Sequence, residues 1–135
     1  MASKILMVDD NPELVELLRL SFEEAGFEVA TASNGMEALE KARAGAPDLI
    51  VLDLELPELD GFAVCEILRR DPSTHPIPIL MLTGLSSQFG RLIGLGCGAN
   101  EYVTKPASPE HVIARVKAVL RSTRSRKRAV RPAVA

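Results

Sequence analysis

The sequence predicts an α/β fold of three layers, a doubly wound five-stranded parallel sheet with five helices on its two faces. Three observations predict it. Five short apolar runs, Lys4–Val8, Glu28–Thr31, Leu49–Leu52, Ile79–Leu82 and Tyr102–Thr104, alternate with helix-length segments of 3.6-residue periodicity. Ile50, Val51 and Leu52 are continuously apolar, as a strand covered on both faces should be. The intervals between runs supply the dozen or so residues that a parallel crossover needs.

Each helix carries its own signals. The first has Asn11 as N-cap and Pro12 at the first helical position, places Leu14, Val15, Leu17, Leu18 and Phe22 along one side, and ends at Gly26. Asn34 caps the second in a box-like pairing with Glu37; Ala38, Leu39 and Ala42 form its buried face and Gly45 closes it. Gly61 to Arg70 is the third, with Pro72, Pro76 and Pro78 preventing its extension and Arg69 and Arg70 favouring the negative end of its dipole. The fourth, near Ser87 to Leu95, is short, because Gly90, Gly94 and Gly96 each cost about 1 kcal/mol relative to alanine. Ser108 and Pro109 start the fifth, whose Val112, Ile113, Val116, Val119 and Leu120 recur at helical spacing.

At 135 residues, 47% hydrophobic and 25% charged, the chain has the size and composition of one globular domain, residues 1–121, followed by a basic tail or linker, 122–135. No apolar run approaches the ~18 residues of a membrane span, and Met1 to Lys4 leads straight into a strand, so a soluble, unexported, cytoplasmic protein without membrane insertion is expected. Cys65 and Cys97 sit in no metal or disulfide spacing and read as reduced packing thiols. The net charge of -2 hides a division. All 18 acids precede Leu120, giving the body a net charge of -8 against its ten bases, while the segment from Arg121 carries +6 and no acid. Such a tail reads as disordered or as a helical extension that frays, and it supports only weak, salt-sensitive contact with nucleic acid.

In an open parallel sheet, ligands bind beyond the carboxyl ends of the strands. The first strand ends in Asp9 and Asp10, the third in Asp53, the fourth in Thr83 and Gly84, and the fifth in Lys105 and Pro106. Carboxylates ~5 Å apart repel by ~3 kcal/mol per pair at an effective dielectric of 20, and one lysine cannot offset three of them. The cluster therefore either holds protons or binds a divalent cation, and an all-oxygen donor set suits Mg2+, with Mn2+ possible in its place. A carboxylate beside such a cation, with a lysine and a hydroxyl converging on it, can act as a nucleophile toward phosphorus. Asp53, ending the central strand, is the natural acceptor, with Asp9 and Asp10 placed to ligate the metal.

At these residues the chain resembles the bacterial response-regulator receiver domain of two-component phosphorelays. The resemblance runs from Ser3 to about Arg121 and rests on VDDNPE, VLDLELPELDG, LMLTG and YVTKP in the family's order. It implies a flavodoxin-like sheet in strand order 2-1-3-4-5 and a cis Lys105–Pro106 bond. It implies Asp53 as phosphoacceptor, Asp10 and Asp9 as the acidic metal-site pair, Asp9 indirectly or through water, and the Glu55 backbone carbonyl as a further ligand. Lys105 becomes the phosphate-pairing lysine, Thr83 the switch hydroxyl and Tyr102 the switch aromatic. On phosphorylation Thr83 would move inward and Tyr102 would swing into the vacated space. Glu55 and Leu85 flank the path of attacking water. Gly84 stands where alanine is common, and Ala107 where phenylalanine often follows Lys-Pro.

The resemblance also implies partners: a histidine kinase or histidine phosphotransfer protein as donor, and a downstream protein docking on the surface of the fourth helix, last strand and fifth helix. A monomer or a phosphorylation-dependent dimer is expected, and catalysis only of the protein's own phosphorylation and dephosphorylation. The favoured reading is a stand-alone receiver; the alternative is the receiver half of a longer DNA-binding transcriptional regulator. An aspartyl-nucleophile phosphatase is remote, since Glu55 and Leu56 stand where that chemistry expects an aspartate two residues after the nucleophile and a hydroxyl soon after. An FMN-binding flavodoxin is remote too, since Asp9 and Asp10 would repel its phosphate. His75 and His111 read as solvated surface residues.

Overall fold

The computed structural model describes residues 2–84 and 88–134, apart from the side chains of residues 88, 89 and 125–134. Leu85, expected beside the path of attacking water, lies outside the described residues. The strands are β1 (Lys4–Val8), β2 (Glu28–Ala32), β3 (Leu49–Leu52), β4 (Ile79–Thr83) and β5 (Glu101–Thr104). Between and after them run α1 (Pro12–Glu24), α2 (Gly35–Gly45), α3 (Gly61–Arg70), α4 (Gln88–Gly96) and α5 (Pro109–Val134). All strand pairs are parallel, in the order β2-β1-β3-β4-β5.

Strand alternation sorts the apolar residues into two cores. Ile5, Met7, Leu49, Val51, Leu80, Leu82 and Val103 pack with Leu18 and Phe22 of α1 and with Val112, Val116, Val119 and Leu120 of α5. Leu6, Val8, Ile50, Leu52, Ile79, Met81 and Tyr102 pack on the other face with Ala38, Leu39 and Ala42 of α2 and Val64, Cys65 and Leu68 of α3. Leu17, expected on the buried side of α1, is instead 51% exposed, because it lies too far around the helix from the Leu18–Phe22 stripe.

The helix starts follow their capping chemistry. Asn11 Oδ1 accepts from the Glu13 and Leu14 N–H groups, and Asn34 Oδ1 from Glu37 N–H. Glu37 returns the bond to Ser33 N–H, one residue before the cap. At the end of α2 the left-handed residue is Ala46, with φ 43°, not Gly45. The helix of α5 continues unbroken through Val134 as backbone.

Arg69 is not the dipole-end surface residue that the sequence suggested. Its guanidinium turns inward, donating to the carbonyls of His75, Ile77 and Gly98 and to Asn100 Oδ1. It thereby ties the end of α3 to the 71–78 loop and to the turn before β5. No carboxylate pairs with it among these contacts, and burial pulls its pKa below the ordinary arginine value.

Candidate functional site

The sheet order makes a crevice at the carboxyl ends of β1 and β3, because after β1 the chain crosses one face through α1 and after β3 the other through α3. The residues just past the strands remain held by ladder hydrogen bonds. Asp9 N–H donates to the Ala32 carbonyl at 3.1 Å, Asp53 N–H to Val8 at 3.0 Å and Lys105 N–H to Thr83 at 2.8 Å. Rigid strand ends therefore aim these side chains.

Asp9, Asp10 and Asp53 each present a carboxylate oxygen within 4.8 Å of the others. Asp9 and Asp53 are buried, 6% and 4% exposed, while Asp10 faces solvent. Lys105 Nζ bridges the buried pair, 2.7 Å from Asp9 Oδ2 and 3.0 Å from Asp53 Oδ2. Burial works against the ammonium, but the two carboxylates outweigh it and raise the Lys105 pKa above its ordinary value. The second oxygens are engaged too. Asp9 Oδ1 accepts from Asn11 N–H at 2.9 Å and Asp53 Oδ1 from Glu55 N–H at 3.1 Å.

Three carboxylates thus face one ammonium. A hard divalent cation fits such a donor set, with Asp10 open to solvent so that bound water can be kept. The Lys105–Pro106 bond is cis. Thr83 is fully buried at the end of β4. The Glu55 side chain lies over the start of the next loop, its Oε1 3.3 Å from where a Cβ at Gly84 would sit.

The loop after β3 is shaped by close backbone contact. Gly61 N–H donates to the Leu54 carbonyl at 3.0 Å, and a Cβ on Gly61 would stand 2.2 Å from the Asp53 carbonyl oxygen. Only glycine lets α3 start there. Glu58, at φ 68°, is the centre of a three-residue turn in which Leu59 N–H reaches the Pro57 carbonyl at 2.7 Å. The sequence marks Gly61 only as a helix start; its signal is a glycine directly after Asp60, the N-cap whose Oδ1 accepts from Ala63 N–H, where a helix former ordinarily stands.

Tyr102 is 3% exposed and packs in the core shared with α2 and α3, so no surface position is left to it, and the inward swing expected from sequence starts from a ring already buried. Burial raises its pKa, Arg91 opposes the rise, and Asp53 and Glu55 add to it. His75 and His111 are exposed, and both cysteines are free.

The family model for the response regulator receiver domain matches residues 5–117. The chain belongs to that family. It is 52% identical over 121 residues to the alkaline phosphatase synthesis transcriptional regulatory protein PhoP of Bacillus subtilis, covering 90% of this chain and 50% of that protein. To the DNA-binding dual master transcriptional regulator RpaA of Synechocystis it is 45% identical over 120 residues, covering 89% and 50%. The receiver thus spans about half the length of these curated relatives. Among solved structures, a putative response regulator from Chloroflexus aurantiacus superposes with a TM-score of 0.84 at 38% identity, covering 89% of this chain and 98% of that one. The chemotaxis response regulator CheY4 of Vibrio cholerae superposes with a TM-score of 0.84 at 33% identity, covering 88% and 99%. No helix among the described residues is long and apolar enough to cross a membrane.

Proposed function

We propose that this receiver is a cytoplasmic phosphoaspartate switch and the input half of a longer DNA-binding transcriptional regulator. The observation that carries the switch is the Asp53 carboxylate, buried, bonded to Lys105 Nζ at 3.0 Å and crowded by two further acids. One Asp53 oxygen attacks the phosphorus of a phosphohistidine on a partner kinase or phosphotransfer protein; the P–N bond breaks, the imidazole leaves with the electron pair, and an acyl phosphate remains. Asp9, Asp10, Asp53 and the Glu55 carbonyl would hold Mg2+, or Mn2+ in its place, which when bound supplies positive charge to the phosphoryl oxygens.

Lys105 supplies the same complement from the protein side. It keeps its proton at neutral pH although it is partly buried, since Asp9 and Asp53 outweigh the burial that opposes its charge. In this reading Thr83, buried at the end of β4, donates to a phosphoryl oxygen, and Tyr102 reports the change on the face of α4, β5 and α5. The protein is then a phosphoacceptor rather than a turnover enzyme.

Two relatives of which this chain matches only half, one a transcriptional regulatory protein and one a DNA-binding regulator, support the input-half reading over a stand-alone receiver. The test is incubation with a small phosphodonor and Mg2+ followed by intact-mass measurement. Wild type should gain one phosphoryl group and Asp53→Asn none. Equal labelling of both proteins would remove Asp53 from the role.

A further inference from the structure

Besides Gly90, the α4 helix contains Gly94 and Gly96, whose backbone is ordinary for any L-residue. Within a helix alanine is favoured over glycine by about 1 kcal/mol, so a glycine kept inside α4 needs another reason, whereas Gly96 is the last residue of the helix. For Gly96 the surroundings offer none, since an added Cβ would meet nothing within 4 Å. Gly94 is different. A Cβ there would lie 3.0 Å from both Cδ2 and Cε2 of Tyr102, with Met81 Cγ at 3.9 Å. Those contacts are closer than ordinary van der Waals packing, and they fall on a flat ring in a packed core.

Arg91, one turn earlier on the same helix, holds the ring from a second point. Its guanidinium carbon is 5.9 Å from the ring centroid, and its Nη1 donates to the Tyr102 carbonyl at 3.1 Å. Two successive turns of α4 therefore bear on one aromatic side chain of β5.

We propose that Gly94 is a positioning residue of the switch: its bare Cα is the seat that lets the Tyr102 ring lie buried against α4, so that ring orientation and helix position form one coupled element. A methyl group in that seat makes the ring rotate outward or the helix draw back, and either change separates the two. The signalling meaning of this coupling rests on the switch proposed above; the seat itself does not.

Tyr102 is the sole tyrosine and the chain has no tryptophan, so tyrosine emission reports this ring alone. Acrylamide quenching is measured on the full chain as wild type, Gly94→Ala and Gly96→Ala. Gly94→Ala should raise the quenching constant about twofold or more, while Gly96→Ala, which adds a methyl group to the same helix where it meets nothing, matches wild type. Equal quenching in wild type and Gly94→Ala overturns the proposal. So does an equal rise in both glycine variants, which would trace the effect to α4 itself.

Should Gly94→Ala fail to fold, the same substitution is made in a Tyr102→Leu background, where no ring needs the seat. The double variant should fold, and its failure overturns the proposal as well. Intact-mass labelling of Asp53 with a phosphodonor, run in parallel, should be unaffected in the folded glycine variants. Loss of labelling in wild type would sink the phosphoacceptor reading and leave the seat untouched.

Discussion

Asp53 holds its position through its neighbours' lack of bulk as much as through its own bonds. With the Gly61 Cβ position 2.2 Å from the Asp53 carbonyl oxygen, Gly61→Ala must push α3 away from the strand that carries the acceptor. Overpacking against backbone, which cannot rotate aside, costs about 1 to 3 kcal/mol, so urea unfolding should show a loss in that range together with slower phosphorylation. An unchanged midpoint and an unchanged rate would mean that the loop yields freely. The acids themselves make the opposite prediction. Three carboxylates within 4.8 Å share one ammonium, so Asp53→Asn should stabilise the metal-free protein by about 1 kcal/mol. Added Mg2+ should raise the Tm of wild type more than that of the variant, because a ligand bound to the native state stabilises it through mass action. A chelator that leaves both melting temperatures unmoved after Mg2+ addition would argue against a cation at this cluster.

Between elements, the charge on β5 does the joining. Glu101 Oε2 accepts from Arg115 of α5, and its Oε1 accepts from Tyr102 N–H and lies 3.8 Å from Arg91 of α4. Burial alone would raise the carboxyl pKa, but the Tyr102 N–H and the two guanidiniums hold it below the ordinary 4.5. A carboxyl whose folded pKa is depressed contributes stability above its unfolded pKa and loses that contribution as pH falls through the folded one. Glu101→Gln should therefore be less stable than wild type near pH ~7, with the gap closing toward pH ~3, as read by urea unfolding at the two values. A gap that persists in acid would assign the effect to packing instead of charge. This junction illustrates what the sequence conveys and what it withholds. Asn11, Asn34, the apolar strands and the acids after β1 and β3 are readable because each acts through neighbours a few residues away or through a fixed period. Arg69 was not readable, since its carbonyl acceptors at His75, Ile77, Gly98 and the Asn100 side chain come together only once α3, the following loop and the turn before β5 have packed. Ala46 in the left-handed region, beside a glycine that could have taken it, is likewise a tertiary outcome.

Across the whole molecule the division of charge matters most at the end of α5. The helix contributes Val112, Val116, Val119 and Leu120 to the core, and its last described side-chain bonds are Thr123 Oγ1 to the Leu120 carbonyl and Arg124 to Ser3 Oγ. Arg126, Lys127, Arg128 and Arg131 follow with no acid among them, on a chain whose first 124 residues hold 18 acids. A chain ended after Arg124 keeps those core contacts, so its unfolding free energy should match the full chain within about 0.5 kcal/mol. Its affinity for duplex DNA should not match. The acidic body repels phosphates, whereas four added cations release counterions, so the full chain should bind DNA weakly in low salt and irrespective of sequence. With six cations from Arg121 on, a plot of log affinity against log salt for the full chain should have a slope no steeper than about -5. Sequence preference in the full chain, or equal binding by the shortened one, would overturn this account. Weak, sequence-blind contact would instead fit a receiver whose sequence-specific reading of DNA belongs to a separate effector half, with the basic end of α5 adding only local attraction to the phosphate backbone.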